Sequence, residues 1–114
     1  MEEIIRIYEN QIGISFRWLN STSNLIQIIF RDVGFHLTMN EIEVFLEKIL
    51  DTKQQKRCPE CQLGENCRSL LLQTPSNKVS MAVSSIELGQ IEDLLKGSLF
   101  QLRLNSYLNE ICKN

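Results

Sequence analysis

Val33-Gly34-Phe35-His36-Leu37-Thr38-Met39-Asn40-Glu41-Ile42 changes its hydrophobic period part-way, alternating up to Leu37 and spaced as a helix beyond Thr38. Ile42, Phe45, Leu46 and Ile49 lie three, four and seven apart, which predicts a helix from Met39 to about Asp51. Its start carries a capping box. The Thr38 hydroxyl can accept the N3 amide while Glu41 reaches back to the N-cap amide, and Leu37 faces Ile42 as a hydrophobic staple. The same device recurs in Val83-Ser84-Ser85-Ile86-Glu87-Leu88. Laying residues 33–50 on residues 79–96 pairs Val33 with Val79, Glu41 with Glu87, Phe45 with Ile91 and Ile49 with Leu95.

Each of these units has an apolar strand before it. The first is Leu25 to Phe30, reversing through Arg31-Asp32; the second is Ser69 to Gln73, reversing through Thr74-Pro75-Ser76-Asn77. Upstream, residues 4–8 read as a strand, Glu9-Asn10-Gln11 as a turn and residues 12–19 as a second strand. Ile12, Ile14, Phe16 and Trp18 share one face of that strand, opposite Gly13, Ser15 and Arg17, so the apolar row, Trp18 included, is expected in the core. The fold expected is α+β, a tandem ββα repeat with an extra N-terminal hairpin. It forms an antiparallel sheet of about six strands with two or three amphipathic helices. A single domain spans 1–114, divided into an N-terminal hairpin (1–23), a first ββα unit (24–52), a cysteine loop (53–68) and a second ββα unit with a helical extension (69–114).

The extension carries two apolar stripes. Leu88, Ile91, Leu95 and Leu102 share one side of a helix, and Phe100, Leu104, Tyr107 and Ile111 fall roughly opposite. An unbroken helix from Ser85 to Cys112 would be about 42 Å long, more than the width of so small a domain. Either the helix breaks near Gly97-Ser98 and a third helix folds back, or Phe100, Leu104, Tyr107 and Ile111 pack against a second copy in a homodimer.

Chemistry concentrates in Cys58-Pro59-Glu60-Cys61-Gln62-Leu63-Gly64-Glu65-Asn66-Cys67. The C-x-x-C pair suits two thiolates on one tetrahedral metal, Cys67 can add a third, and Cys112 is the natural fourth, with His36 as the alternative. Structural zinc on Cys58, Cys61, Cys67 and Cys112 is therefore expected. A thioredoxin-type role would place the pair at a helix N-terminus after a strand, whereas here it follows the polar exit Lys53-Gln54-Gln55-Lys56-Arg57. Lys53, Lys56, Arg57 and Arg68 rim the loop with positive charge, which Glu60 and Glu65 dilute.

The chain of 114 residues is 43% hydrophobic and 23% charged, and its net charge of −2 supplies no field for polyanions or anionic membranes. No apolar run approaches the roughly 18 residues of a membrane span, and the acidic start Met1-Glu2-Glu3 has no basic leader, so a cytoplasmic protein is expected. Phosphate-binding glycine loops, H-E-x-x-H and G-x-S-x-G are missing, and His36 has no neighbouring nucleophile, so no enzyme is expected.

Leu25-Ile26-Gln27-Ile28-Ile29-Phe30-Arg31-Asp32-Val33-Gly34-Phe35-His36-Leu37-Thr38, the helix from Glu41 to Ile49, and Cys67-Arg68-Ser69 to Leu95 resemble a family of short bacterial proteins catalogued as a domain of unknown function. The resemblance implies a hairpin followed by a helix, twice over, and no activity. Where such proteins often carry a C-x-x-C ahead of the first hairpin, this chain has Phe16-Arg17-Trp18-Leu19. The function expected is a non-enzymatic protein-binding or regulatory module with a zinc-type cysteine loop. The alternatives are a nucleic-acid-associated small zinc protein and a small thiol redox protein.

Overall fold

Both capping boxes close in the computed structural model, which describes residues 3–20, 22–55 and 66–111. The Thr38 hydroxyl accepts the Glu41 amide at 3.2 Å while the Glu41 carboxylate accepts the Thr38 amide at 3.0 Å. The Ser84 hydroxyl accepts the Glu87 amide at 3.1 Å, and Glu87 accepts the Ser84 amide at 3.0 Å. These caps start α1 (Met39–Lys53) and α2 (Ser85–Ile111). Each saves orphan amides that would otherwise cost about 1 kcal/mol.

Ahead of α1 runs a four-stranded antiparallel meander in the order β1 (Ile4–Glu9), β2 (Gly13–Trp18), β3 (Ile26–Phe30), β4 (Val33–Leu37). Between the helices, β5 (Leu70–Gln73) and β6 (Ser80–Val83) pair with each other and, among the described residues, with no other strand. The fold is α+β as expected, but its six strands divide into two sheets rather than forming one. The β5–β6 hairpin lies against α1 instead of extending the meander. The two helices run antiparallel, since Glu43 near the start of α1 meets Arg103 near the end of α2, and Lys53 at the end of α1 meets Glu92.

One core joins these layers. Ile26, Ile28 and Phe30 of β3, Ile42, Phe45 and Ile49 of α1, Leu72 and Val83 of the small hairpin, and Leu88, Ile91, Leu94 and Leu95 of α2 are all buried in it. The β3–β4 reversal is two residues long, and Arg31 there takes a positive φ of 55°. That left-handed backbone costs about 1 kcal/mol in a non-glycine residue. Arg31 is placed by it to donate to the Ala82 carbonyl at 2.7 Å, which ties the large sheet to the small one.

The strand β2 presents the opposite face from the one its pattern suggests. Register places Ser15 beside Ile28 and Phe16 beside Gln27, so Gly13, Ser15 and Arg17 share the core-directed face of β3. Phe16 is buried outside the main core, in edge contact with Trp18, and Trp18 is 37% exposed. The expected placement of Trp18 in the core is thus corrected. The reason is a close approach: Ser15 and Ser98, both fully buried, meet through their hydroxyls at 2.6 Å, and Ser98 donates in turn to the Leu94 carbonyl.

Beside them Tyr8 lies across Gly97. Its hydroxyl donates to Asp93 at 3.0 Å, and that bond holds the phenol above its ordinary pKa. Asn10 adds to the crossing, donating to the Gln90 carbonyl at 2.8 Å and to Asp93 at 2.9 Å while its own carbonyl accepts the Ile12 and Gly13 amides. Gly97-Ser98 is therefore a notch in a helix that runs unbroken to Ile111, so of the two alternatives the continuous helix is the one observed. At about 1.5 Å per residue α2 spans roughly 40 Å, along a molecule of 60 × 31 × 26 Å. No helix among the described residues is long and apolar enough to cross a membrane.

The two glycines of α2 make a matched pair. A Cβ on Gly97 would sit 2.5 Å from the Tyr8 ring, whereas one on Gly89 meets nothing within 4 Å. In urea melts, Gly89→Ala is expected to raise stability by about 0.5–1 kcal/mol through helix propensity. Gly97→Ala is expected to lower it by about 1–2 kcal/mol, because overpacking outweighs that gain.

Candidate functional site

The cysteine stretch leaves α1 and returns to β5, and both of its flanks are pinned. Gln55 imitates a strand neighbour: its side-chain amide donates to the Leu71 carbonyl at 2.9 Å and accepts the Leu71 amide at 3.1 Å. On the return side Arg68 grips Glu87 with a two-pronged contact, Nε and Nη2 at 3.0 and 2.9 Å. Of the expected metal ligands, Cys67 is partly buried beside this anchor, while Cys58, Cys61 and Cys112 lie outside the described residues. Among the described residues no three His, Cys, Asp or Glu side chains gather as a metal site. Ile111, the last described residue of α2, stands roughly 36 Å along the helix axis from Glu87.

Glu87 is the residue whose importance the sequence reading missed beyond its capping role. It accepts the Ser84 amide, binds Arg68 and lies 3.7 Å from Arg31, so one carboxylate joins the β3–β4 turn, the cysteine-loop exit and the start of α2. Burial works against its charge. The Arg68 and Ser84 hydrogen bonds and the two guanidinium charges outweigh that burial and hold its pKa below the ordinary carboxylate value. Glu92 behaves alike: burial opposes its ionisation, and Lys53 and Lys96 overcome it. Of the basic rim, then, Lys53 and Arg68 already face carboxylates, and Lys56 and Arg57 lie outside the described residues.

His36 is exposed on the sheet face away from the helices, with Nδ1 hydrogen-bonded to the Gln27 side-chain carbonyl. That bond orients the ring along the sheet, and no described carboxylate or thiol pairs with it.

The distal half of α2 carries a run of exposed apolar side chains. Leu102 is the last buried residue, and everything described beyond it is exposed. Phe100 (63% exposed), Leu104, Tyr107 (60%) and Ile111 form the expected stripe, and Leu108, four residues after Leu104, widens it. The 3.6-residue spacing already contained Leu108. No protein-family model, curated protein or solved structure matches this chain.

Because the folded Glu87 carboxyl titrates below its ordinary value, its contribution is present above that value and disappears as pH falls through the folded one. Stability from urea melts should fall as pH drops below the ordinary carboxylate value of 4.5. Glu87→Gln, which keeps the capping geometry, should cost about 1 kcal/mol near neutrality and flatten that decline.

Proposed function

We propose that this chain is a non-enzymatic protein-binding module whose partner is a second copy of itself, joined through the overhanging end of α2. The exposed stripe from Phe100 to Ile111 carries this reading. Its pattern is self-complementary. In an antiparallel pair centred between Leu104 and Tyr107, Phe100 of each copy meets Ile111 of the other, and Leu104 meets Tyr107 and Leu108. A helical seam of this length buries less than the roughly 800 Å² per partner of a standard interface, which suits a dimer of about micromolar affinity.

The cysteine stretch is read as a structural zinc loop drawing on Cys58, Cys61 and Cys67, in a reducing compartment such as the cytoplasm. Cys112 follows Ile111, roughly 36 Å along α2 from the Glu87 that holds Arg68, so the fourth ligand has to come from elsewhere. The C-x-x-C spacing supports the metal, and the Gln55 and Arg68 anchors support a structural role at the joint between two hairpin–helix units, themselves read as a tandem repeat.

Sedimentation equilibrium should show a monomer–dimer equilibrium, and the double variant Phe100→Glu, Leu104→Glu should be monomeric at all concentrations with an unchanged melt. A wild type that stays monomeric at about 100 µM removes the second copy as partner. For the loop, elemental analysis of anaerobically purified protein should find stoichiometric zinc, lost in Cys58→Ser; metal-free wild-type protein would end the zinc reading.

A further inference from the structure

Arg17 occupies the core-directed face of β2 at the point where α2 leaves the body of the molecule. Its Nε is buried and has no hydrogen-bond partner, and the guanidinium makes no ion pair among the described residues. A desolvated donor of this kind costs about 1–3 kcal/mol when nothing accepts from it. The side chain lines a cleft of about 430 Å³ together with Asn24, Ile26, Met39, Asn40 and Leu102. That volume lies in the range of small-molecule sites.

The first turn of α1 forms another wall of the same cleft. Thr38 and Glu41 spend the capping box on the Glu41 and Thr38 amides, and Ile42 donates to the Thr38 carbonyl at 3.0 Å. The Met39 and Asn40 amides remain as the first-turn donors with no intrahelical acceptor, at the positive end of the helix dipole. Arg17, which makes no ion pair among the described residues, and the first turn of α1 thus line one cleft, and no lining residue carries a carboxylate. The other lining residues are the apolar Ile26, Met39 and Leu102 and the polar, uncharged Asn24, Thr38 and Asn40.

We propose that this cleft binds a small anionic molecule, its carboxylate or phosphate held by Arg17 and the α1 amides and its apolar part resting on Ile26, Met39 and Leu102. Arginine suits the oxyanion, since its planar fork matches two oxygens at once. A bare inorganic ion would leave the apolar wall unused.

The test is a set of NMR titrations at constant ionic strength with benzoate, phenyl phosphate and inorganic phosphate. Saturable shifts are expected at the Arg17 Nε–H and the Met39 and Asn40 amides, with either benzoate or phenyl phosphate tighter than inorganic phosphate. Whichever of the two is tighter identifies the oxyanion. Arg17→Gln should weaken that binding at least about tenfold, equivalent to about 1.4 kcal/mol. Met39→Pro, which removes one amide at a helix position that proline favours, should weaken it several-fold while α1 persists, and it serves if Arg17→Gln fails to fold. Shifts that rise linearly with every anion, or binding that survives both substitutions unchanged, would mean an adventitious ion only and overturn the proposal.

Discussion

The crossing of α2 over β1 and β2 sets the geometry of everything else. Two buried serines touch there, Ser15 from the sheet and Ser98 from the helix, and a tyrosine ring lies where Gly97 has no side chain. Small residues on both partners let the helix axis come close to the sheet, and the hydroxyl pair satisfies what burial would otherwise leave unpaired. With the axis held at that point, the upstream half of α2 must pack on α1 and the small hairpin, and the downstream half must run past the edge of the body. The overhang is a consequence of where the notch sits along a continuous helix.

A second set of contacts governs the other end of α2. Glu87 caps the helix and binds both Arg68 and Arg31, so a single carboxylate couples the cysteine-loop exit to the turn of the large sheet. Gln55 does the corresponding work for the exit of α1, satisfying both backbone groups of Leu71 on a strand that is otherwise paired on one side only. The cysteine stretch is thereby bracketed by polar anchors that the rest of the fold supports. Arg31, Gln55 and Glu87 fix how the two hairpin–helix units meet on either side of it.

Much of this architecture was legible in the residues. The alternation and spacing around Thr38 and Ser84 placed both helix starts, and β3 and β4 appear within a residue of their expected bounds, because caps, turns and amphipathic periods are local properties. Two readings failed and a third stayed open between alternatives, for a shared reason. Periodicity shows that β2 has an apolar row, not which side a helix will cover, and here the helix lies on the Ser15 side, where the small side chain admits Ser98 at hydrogen-bond distance. Gly97-Ser98 is ambiguous between a break and a notch until the Tyr8 and Ser15 opposite are known. Counting six strands likewise left their pairing open, since β5 and β6 satisfy each other without joining the meander. For the site, the stripe on α2 was readable except for Leu108, while the unpaired state of Arg17 is a property of three-dimensional surroundings that no spacing records.

The end of α2 is the part of the fold with least support from its own chain. Beyond Leu102 no described residue is buried, the last turn carries no basic side chain to oppose the helix dipole, and a helix of so few residues would be marginal in water by itself. It persists as a continuation of the segment clamped at Ser98 and Leu99, where nucleation has already occurred, so each further turn needs only propagation. Propagation alone does not account for an apolar stripe of Phe100, Leu104, Tyr107, Leu108 and Ile111, since any solvated extension would serve with polar residues on that face. A surface that covers the stripe would contribute burial and hold the last turns together. Under the proposed dimer, the stability of the overhang and the pairing of two copies are one equilibrium, with the notch at Gly97 and Ser98 as the fixed point from which it is measured.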